Sequence, residues 1–277
     1  MGITGVNVHI RAHSLHNKSR NINPCLQPKA KPMSFVFEEI DYQQTPLGAI
    51  SLRRRSEPRL NNKILFEVKL NEEFLMSSLF TEAEIQLSKL GLAELAGQEL
   101  NVIVGGLGLG YTAQAALAFD NVKTLKVVEV MKPVIDWHQQ SLVPLGEELS
   151  NDPRCQLVHA DFFEVATSQA LGFDNLPVNA ENGPEKVHAI LLDIDHSPSY
   201  WLNPGNSAFY TEEGLTAMKE KLHSGGIFGL WSDEPPAPDF MELLDKVFES
   251  TSSHVVPFPN PFTGGESTNS VYIARKA

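Results

Sequence analysis

Cysteine is scarce in this chain: only Cys25 and Cys155 occur in 277 residues. Two thiols so far apart provide neither a disulfide framework nor a metal-binding spacing, which fits a reduced, cytoplasmic setting with no metal. No apolar run reaches the ~20 residues that cross a bilayer, so a membrane-spanning helix is excluded. Basic residues are also in the minority, with a net charge of −12. The one basic run past the leader, Arg53-Arg54-Arg55, alternates between the two faces of an expected strand instead of forming a phosphate-tracking stripe, so no nucleic-acid partner is expected. Residues 1–32 contain no acid and no periodic apolar pattern, only five Lys/Arg, three His and scattered Asn, Ser and Pro. They read as a disordered leader, with Met33 as a natural start. An organelle transit segment has similar composition but calls for an amphipathic helix that is not evident here. His9, His13 and His16 read as incidental.

The feature with most information is Asn101-Val102-Ile103-Val104-Gly105-Gly106-Leu107-Gly108-Leu109-Gly110. An apolar run that ends in closely spaced glycines is how a buried strand hands over to a helix. Gly105, Gly106, Gly108 and Gly110 permit a sharp turn and leave room for a ligand against the backbone. The alanine-rich segment Tyr111 to Phe119 reads as the following helix. Such a turn also occurs with no ligand, but a second apolar run, Leu125 to Val130, carries a single acid, Glu129, nineteen residues past Gly110. That is close to the ~20-residue spacing of a carboxylate that binds ribose hydroxyls. The alternative for Glu129 is a solvated acid at a strand end.

Around this turn the chain reads as alternating elements. Short strands with hairpin-like breaks are expected at Phe35 to Phe37, Leu47 to Leu52, and Ile64 to Leu70 running on into Phe74 to Met76. They suggest a small antiparallel unit over residues 33–80. Thr81-Glu82-Ala83-Glu84 has the spacing of a capping box, starting a helix that Gly97 stops. Over residues 81–277 follow a helix near Pro133 to Gln140, a strand Gln156 to Ala160, a polar surface insertion Gly172 to Lys186, and a strand Val187 to Leu192. A helix Tyr210 to Leu222, a turn at Gly225-Gly226, a strand Ile227 to Trp231 and a helix Phe240 to Phe248 continue the period. Two last β runs, Val255 to Phe258 and Val271 to Ala274, are joined by Pro259 to Asn269. The pattern is α/β: a mainly parallel sheet covered by helices on both faces, with ligands expected at the carboxyl ends of its strands.

Glu129, Asp161, Asp193 and Asp233 each follow an expected strand at that edge, a concentration suited to a cationic or hydroxyl-rich ligand. Asp161 either accepts a hydrogen bond from an adenine amino group or caps the helix from Phe162. The densest cluster is Leu192-Asp193-Ile194-Asp195-His196-Ser197-Pro198. Its two acids and histidine have the chemistry to hold or deprotonate an amine, and equally the composition of a polar turn before a proline.

From Ile40 to Lys276 this layout resembles the spermidine synthase-like group of polyamine aminopropyltransferases, relatives of class I S-adenosylmethionine-dependent methyltransferases. The resemblance implies a Rossmann-like class I methyltransferase fold, with a mainly parallel seven-stranded sheet and a small N-terminal antiparallel β unit. It implies that the glycine turn, Glu129 and Asp161 hold the methylthioadenosine part of decarboxylated S-adenosylmethionine, a co-substrate and not a tightly bound cofactor. Asp193 would help deprotonate a small amine acceptor, with Asp195 and His196 beside it. A homodimer is implied as well, the N-terminal β unit offering a contact surface. This chain departs from the family pattern at Gly108, where the family has an Asp that meets the aminopropyl end, and at His196, where it has the second acid of its catalytic motif. The family's Asp-Glu and Tyr-His pairs ahead of the turn have only approximate counterparts in Asn71 to Phe74 and Phe80 to Glu82. Intact S-adenosylmethionine suits the turn equally, so a small-molecule methyltransferase and a silent adenosyl-nucleoside-binding protein stand as alternatives.

Overall fold

β-branched and large apolar residues that alternate with polar ones put one face of a strand in a core and the other in water, a rule followed at Ile50 and Leu52 of the second strand. In the computed structural model, which describes residues 36–170, 172–173 and 186–277, β1 (Phe37–Thr45), β2 (Gly48–Glu57), β3 (Lys63–Leu70) and β4 (Glu73–Ser77) form an antiparallel meander in sequence order. Ile50 and Leu52 of β2 lie opposite Leu70 and Val68 of β3, and all four are buried. They join the core that also holds Leu107 and Leu109 of the glycine turn, so the meander forms one wall over that turn. The arginine run alternates as expected. Arg53 and Arg55 both bond Glu67, at 2.7 and 2.8 Å, while Arg54 points the other way to Glu38 at 2.6 Å.

The second sheet has seven strands in the order β10-β11-β9-β8-β5-β6-β7. These are β5 (Leu100–Gly105), β6 (Val122–Glu129), β7 (Cys155–His159), β8 (Val187–Leu192), β9 (Leu222–Ser232), β10 (Ser250–Asn260) and β11 (Gly265–Arg275). The five from β9 to β7 are parallel, and β11 is antiparallel to both its neighbours. The intervening helices are α1 (Glu82–Ala93), α2 (Tyr111–Leu117), α3 (Lys132–Gln139), α4 (Gly146–Asn151), α5 (Phe162–Thr167), α6 (Glu212–Lys219) and α7 (Pro238–Val247). Strand order reverses beside β5: the chain proceeds to β6 and β7 on one side, then returns to β8 on the other. Ligands of open α/β sheets bind at such a reversal, outside the carboxyl ends of the strands. The glycine turn and the Asp193 cluster follow the two strands that flank it.

Several elements differ from the sequence expectation. Thr81 makes no capping bond, because its backbone (φ −137°, ψ 3°) does not aim the hydroxyl into the helix, and Glu84 is buried at 7 % exposure instead of reaching back. α4 has no counterpart in the expected order, since six residues are too few to show a helical period. Gly225-Gly226 lies inside β9, at an irregularity where the pairing with β8 skips from Val187–Leu222 to Ala189–Ile227. The expected loop Pro259 to Asn269 is mostly strand. β10 and β11 pair as far as Asn260–Gly265, with Ser and Thr satisfying the ladder where apolar burial is not needed. Pro257 and Pro259 are tolerated because β10 is an edge strand. The leader 1–32, with Cys25 and its histidines, and most of the insertion 172–186 lie outside the described residues. Among the described residues no helix is long and apolar enough to cross a membrane.

Candidate active site

Three strand ends are laced together at the reversal point. The Asp193 N–H donates to the Gly105 carbonyl at 2.8 Å, and the Gly106 N–H donates to the Val128 carbonyl at 2.9 Å. Gly106 has φ +93°, and a Cβ there would lie 2.1 Å from the Asp193 carbonyl oxygen, so this approach of the two loops requires glycine. Gly108, at φ +48°, faces the first sheet, where its Cβ would meet Met76 Sδ at 2.5 Å. The same sulfur accepts from the Leu109 N–H at 3.1 Å. From the opposite side the buried His138 donates Nε2–H to the Gly108 carbonyl at 3.0 Å, and burial holds that imidazole below its usual pKa, in the neutral form. Gly110 ends the turn and opens α2.

Glu129 closes β6 and is 6 % exposed. Its Oε2 accepts from the Leu107 N–H at 3.0 Å and its Oε1 from the Met131 N–H at 2.8 Å. The carboxylate therefore holds the glycine turn in place as well as lining the cleft. Burial raises its pKa, and the surrounding backbone N–H groups work against that rise. If its remaining lone pairs take ribose hydroxyls, Glu129→Gln should weaken adenosyl-ligand affinity at least ~10-fold. An amide has one oxygen for two backbone donors, so stability should fall too, by the ~1–3 kcal/mol of an unmet buried N–H, and the melting temperature with it. Calorimetric titration with methylthioadenosine alongside thermal melts reads both effects, and unchanged affinity would remove Glu129 from the ligand contacts.

Asp161 takes the capping role and also reaches the cleft. Oδ1 caps α5, accepting from the N–H groups of Phe163 (2.9 Å) and Glu164 (3.2 Å), while the residue also lines the cleft. Asp193 follows β8 and is partly open to the cleft, with protein on its other sides. Its Oδ2 accepts from the Thr112 hydroxyl at 2.6 Å. Enclosure raises its pKa, and the Thr112 bond opposes the rise. Glu84, from α1, lines the same cleft, and its pKa is also raised, first by burial and then by the charge of Asp193. Sequence reading assigned Glu84 to a cap and missed it as a site residue. Its place in the acid-rich first turn of an apolar helix carried no signal for the inward turn.

The rest of the cluster separates by role. Asp195 is 1 % exposed and is not on the cleft wall. Its oxygens accept from Leu202 N–H (2.8 Å), Asn206 Nδ2 (2.9 and 3.2 Å) and the Tyr210 hydroxyl (2.9 Å), which ties down the segment beyond it. His196 does reach the cleft. Its Nε2 is 3.0 Å from Glu73 Oε1, its Nδ1 is 3.4 Å from Asp233 Oδ2, and its ring stacks on Tyr200 at 4.9 Å. Tyr200 donates its hydroxyl to the same Glu73 oxygen at 2.9 Å. Asp233, grouped from sequence with the edge acids, supports His196 from behind and is not on the cleft wall.

Together these groups surround a cleft whose empty space, open mouth included, is about 1130 Å³. The meander lines it with Leu47, Ile50, Val68, Leu70, Leu75 and Met76. The edge of the second sheet contributes Glu129, Asp161, Asp193 and His196, with Phe162, Phe163 and Trp231. No Lys or Arg is among its described lining residues. The described residues contain no group of three or more His, Cys, Asp or Glu arranged to hold a metal ion.

No protein-family model matches the chain. A polyamine aminopropyltransferase of Prochlorococcus marinus (strain MIT 9313) is 27 % identical over an alignment of 158 residues that covers 55 % of this chain. The match spans about half (49 %) of that relative's length. Among solved structures, a spermidine synthase in complex with the transition-state analogue AdoDATO aligns with a TM-score of 0.64 at 19 % identity, covering 92 % of this chain and 84 % of that one. Spermidine synthase from Thermotoga maritima aligns with a TM-score of 0.62 at 18 % identity, over 92 % and 83 % of the two chains. The fold is thus spermidine synthase-like: a methyltransferase-like mixed sheet behind a small antiparallel meander.

Proposed function

We propose that this cleft binds an S-adenosyl donor, decarboxylated S-adenosylmethionine, and transfers its aminopropyl group to a small amine. The observation that carries the reading is the junction of Gly106 with Asp193. The turn suited to an adenosyl group and the acid suited to an amine are in backbone contact at the switch point of the sheet, under one apolar roof. The polyamine aminopropyltransferase similar to this chain supports the same chemistry. In this reading Glu129 holds the ribose, Asp161 the adenine edge, and Gly105, Gly106, Gly108 and Gly110 give the backbone approach.

Asp193 accepts a proton from the incoming ammonium, which frees the nitrogen lone pair. The nitrogen then attacks the methylene carbon bonded to the sulfonium. A C–N bond forms as the C–S bond breaks, and its electron pair goes to sulfur, so methylthioadenosine leaves neutral and the product is a secondary ammonium. The sulfonium is already a good leaving group, so the protein's contribution is mainly alignment, worth ~7 kcal/mol or more. The raised pKa of Asp193 suits it to the proton transfer. Asp195 and His196 act as positioning residues, one through the segment 202–210 and the other through Glu73 and Tyr200. The same reading takes the enzyme as a cytoplasmic protein and a homodimer, and light scattering tests the dimer.

A second reading, methyl transfer from intact S-adenosylmethionine, is favoured by one observation. Met76 stands against Gly108, so that corner of the turn offers no carboxylate to an aminopropyl ammonium. Incubation with each donor and 1,4-diaminobutane separates the two. Methylthioadenosine is the expected product; S-adenosylhomocysteine in its place would establish methyl transfer, and neither product would favour a silent adenosyl-binding protein.

A further inference from the structure

We propose that Glu84 and Asp193 together form a seat for the acceptor's ammonium group, and that filling this seat drives a proton out of the pair into solvent. The inference rests on the amine-site reading above and adds to it a second carboxylate and a proton balance.

Glu84 is a largely buried carboxyl group with no cation paired to it among the described residues. It is 7 % exposed and lines the cleft. It takes a hydrogen bond from its own backbone N–H, and no other described side chain bonds to its carboxyl. Thr112 links it to Asp193, donating at 2.6 Å to Asp193 Oδ2, with the Glu84 backbone carbonyl 3.4 Å from the same hydroxyl. The groups that face Glu84 are acidic or neutral: Asp193 from the β8 end, Glu82 on its own helix, and the Tyr111 phenol at the start of α2. On the elements packed against α1, the cation Arg275 of β11 is taken up at the far end of the helix by Glu94. The meander contributes only apolar side chains to the described lining of the cleft.

Two neighbouring carboxyls in such a place cannot both ionise cheaply, so one keeps its proton near neutral pH. The missing component is a cation that carries N–H donors. A primary ammonium supplies both, and its charge lets the pair ionise fully, which releases the retained proton. In the reaction that follows, the ammonium returns one proton to the pair, and the other carboxylate stays charged beside the developing product ammonium. A hydroxyl of the same size would bring no charge and expel no proton, which makes the pair a selector for amines over alcohols.

The test is calorimetric titration of 1,4-diaminobutane into the full chain saturated with methylthioadenosine, near pH 7, in buffers of different ionisation heat. Wild type should release about one proton per amine bound. Glu84→Gln, which has the shape of the protonated acid, should release almost none and bind ~10-fold more weakly, and 1,4-butanediol should not compete. Amine binding without buffer dependence, or equal release by the variant, overturns the proposal and leaves the amine site standing. Absence of amine binding in wild type overturns both. Should Glu84→Gln fail to fold, the wild type decides alone. Its proton release should vanish as pH rises and the pair ionises before the amine arrives, while the amine itself stays charged up to its pKa near ~10. Release that is constant over that range would rule the pair out.

Discussion

Asp193→Asn is expected to lower turnover by ~10²-fold or more with donor affinity little changed. The amide preserves the volume of the side chain and an oxygen for the Thr112 hydroxyl, which donates to Asp193 at 2.6 Å, so the loop after β8 has no reason to rearrange. The variant lacks the charge and the capacity to take a proton from the acceptor. Because enclosure raises the pKa of Asp193, wild-type turnover should decline as pH falls through a value above the ordinary carboxylate range. The residual activity of the variant should lack that limb. Single-turnover rates across pH, with methylthioadenosine affinity measured in parallel, separate the two effects. Undiminished turnover would make Asp193 a turn residue and remove it from the proton transfer.

Gly106→Ala should abolish measurable donor binding and cost ~3 kcal/mol or more of stability, the range of severe single substitutions. One part of that cost is the φ of +93°, worth ~1–2 kcal/mol for a residue with a Cβ. The larger part is contact: the new methyl group would lie 2.1 Å from the Asp193 carbonyl oxygen, a backbone atom that cannot swing aside. Gly97 provides the control. It has φ +87° with nothing within 4 Å of its would-be Cβ, so Gly97→Ala should show the conformational cost alone. Urea midpoints for the two variants test this difference, and equal losses would show that the approach of the loops contributes little.

What the sequence revealed depended on whether a signal was local. The glycine turn, the spacing to Glu129 and the acids at the strand ends are written in short stretches, and the sheet order brings their carriers to one edge. Residues recruited across the chain were not legible. Met76 reaches Gly108 from a strand of the other sheet, and Glu84 looks like part of a cap until its helix is packed. Asp195 looked chemically equivalent to Asp193, two residues earlier. Only the folded segment, with Leu202, Asn206 and Tyr210 around its carboxylate, shows that its capacity is already used. The last two β runs were legible, but the polar end of their hairpin, where β10 and β11 pair as far as Asn260–Gly265, was not, because hydrophobic periodicity cannot detect strand segments that bury little.

The Met76 thioether that accepts from Leu109 also gives the protein a built-in spectroscopic probe. Met131 lines the same cleft, while Met218 sits at 0 % exposure in the other core cluster, away from it. Carbon-13 labelling of the six methionine methyl groups would include two reporter signals on the ligand's path, Met76 and Met131, and a buried internal reference in Met218. Occupancy of the cleft could then be followed in solution by magnetic resonance without attaching a dye or altering any residue.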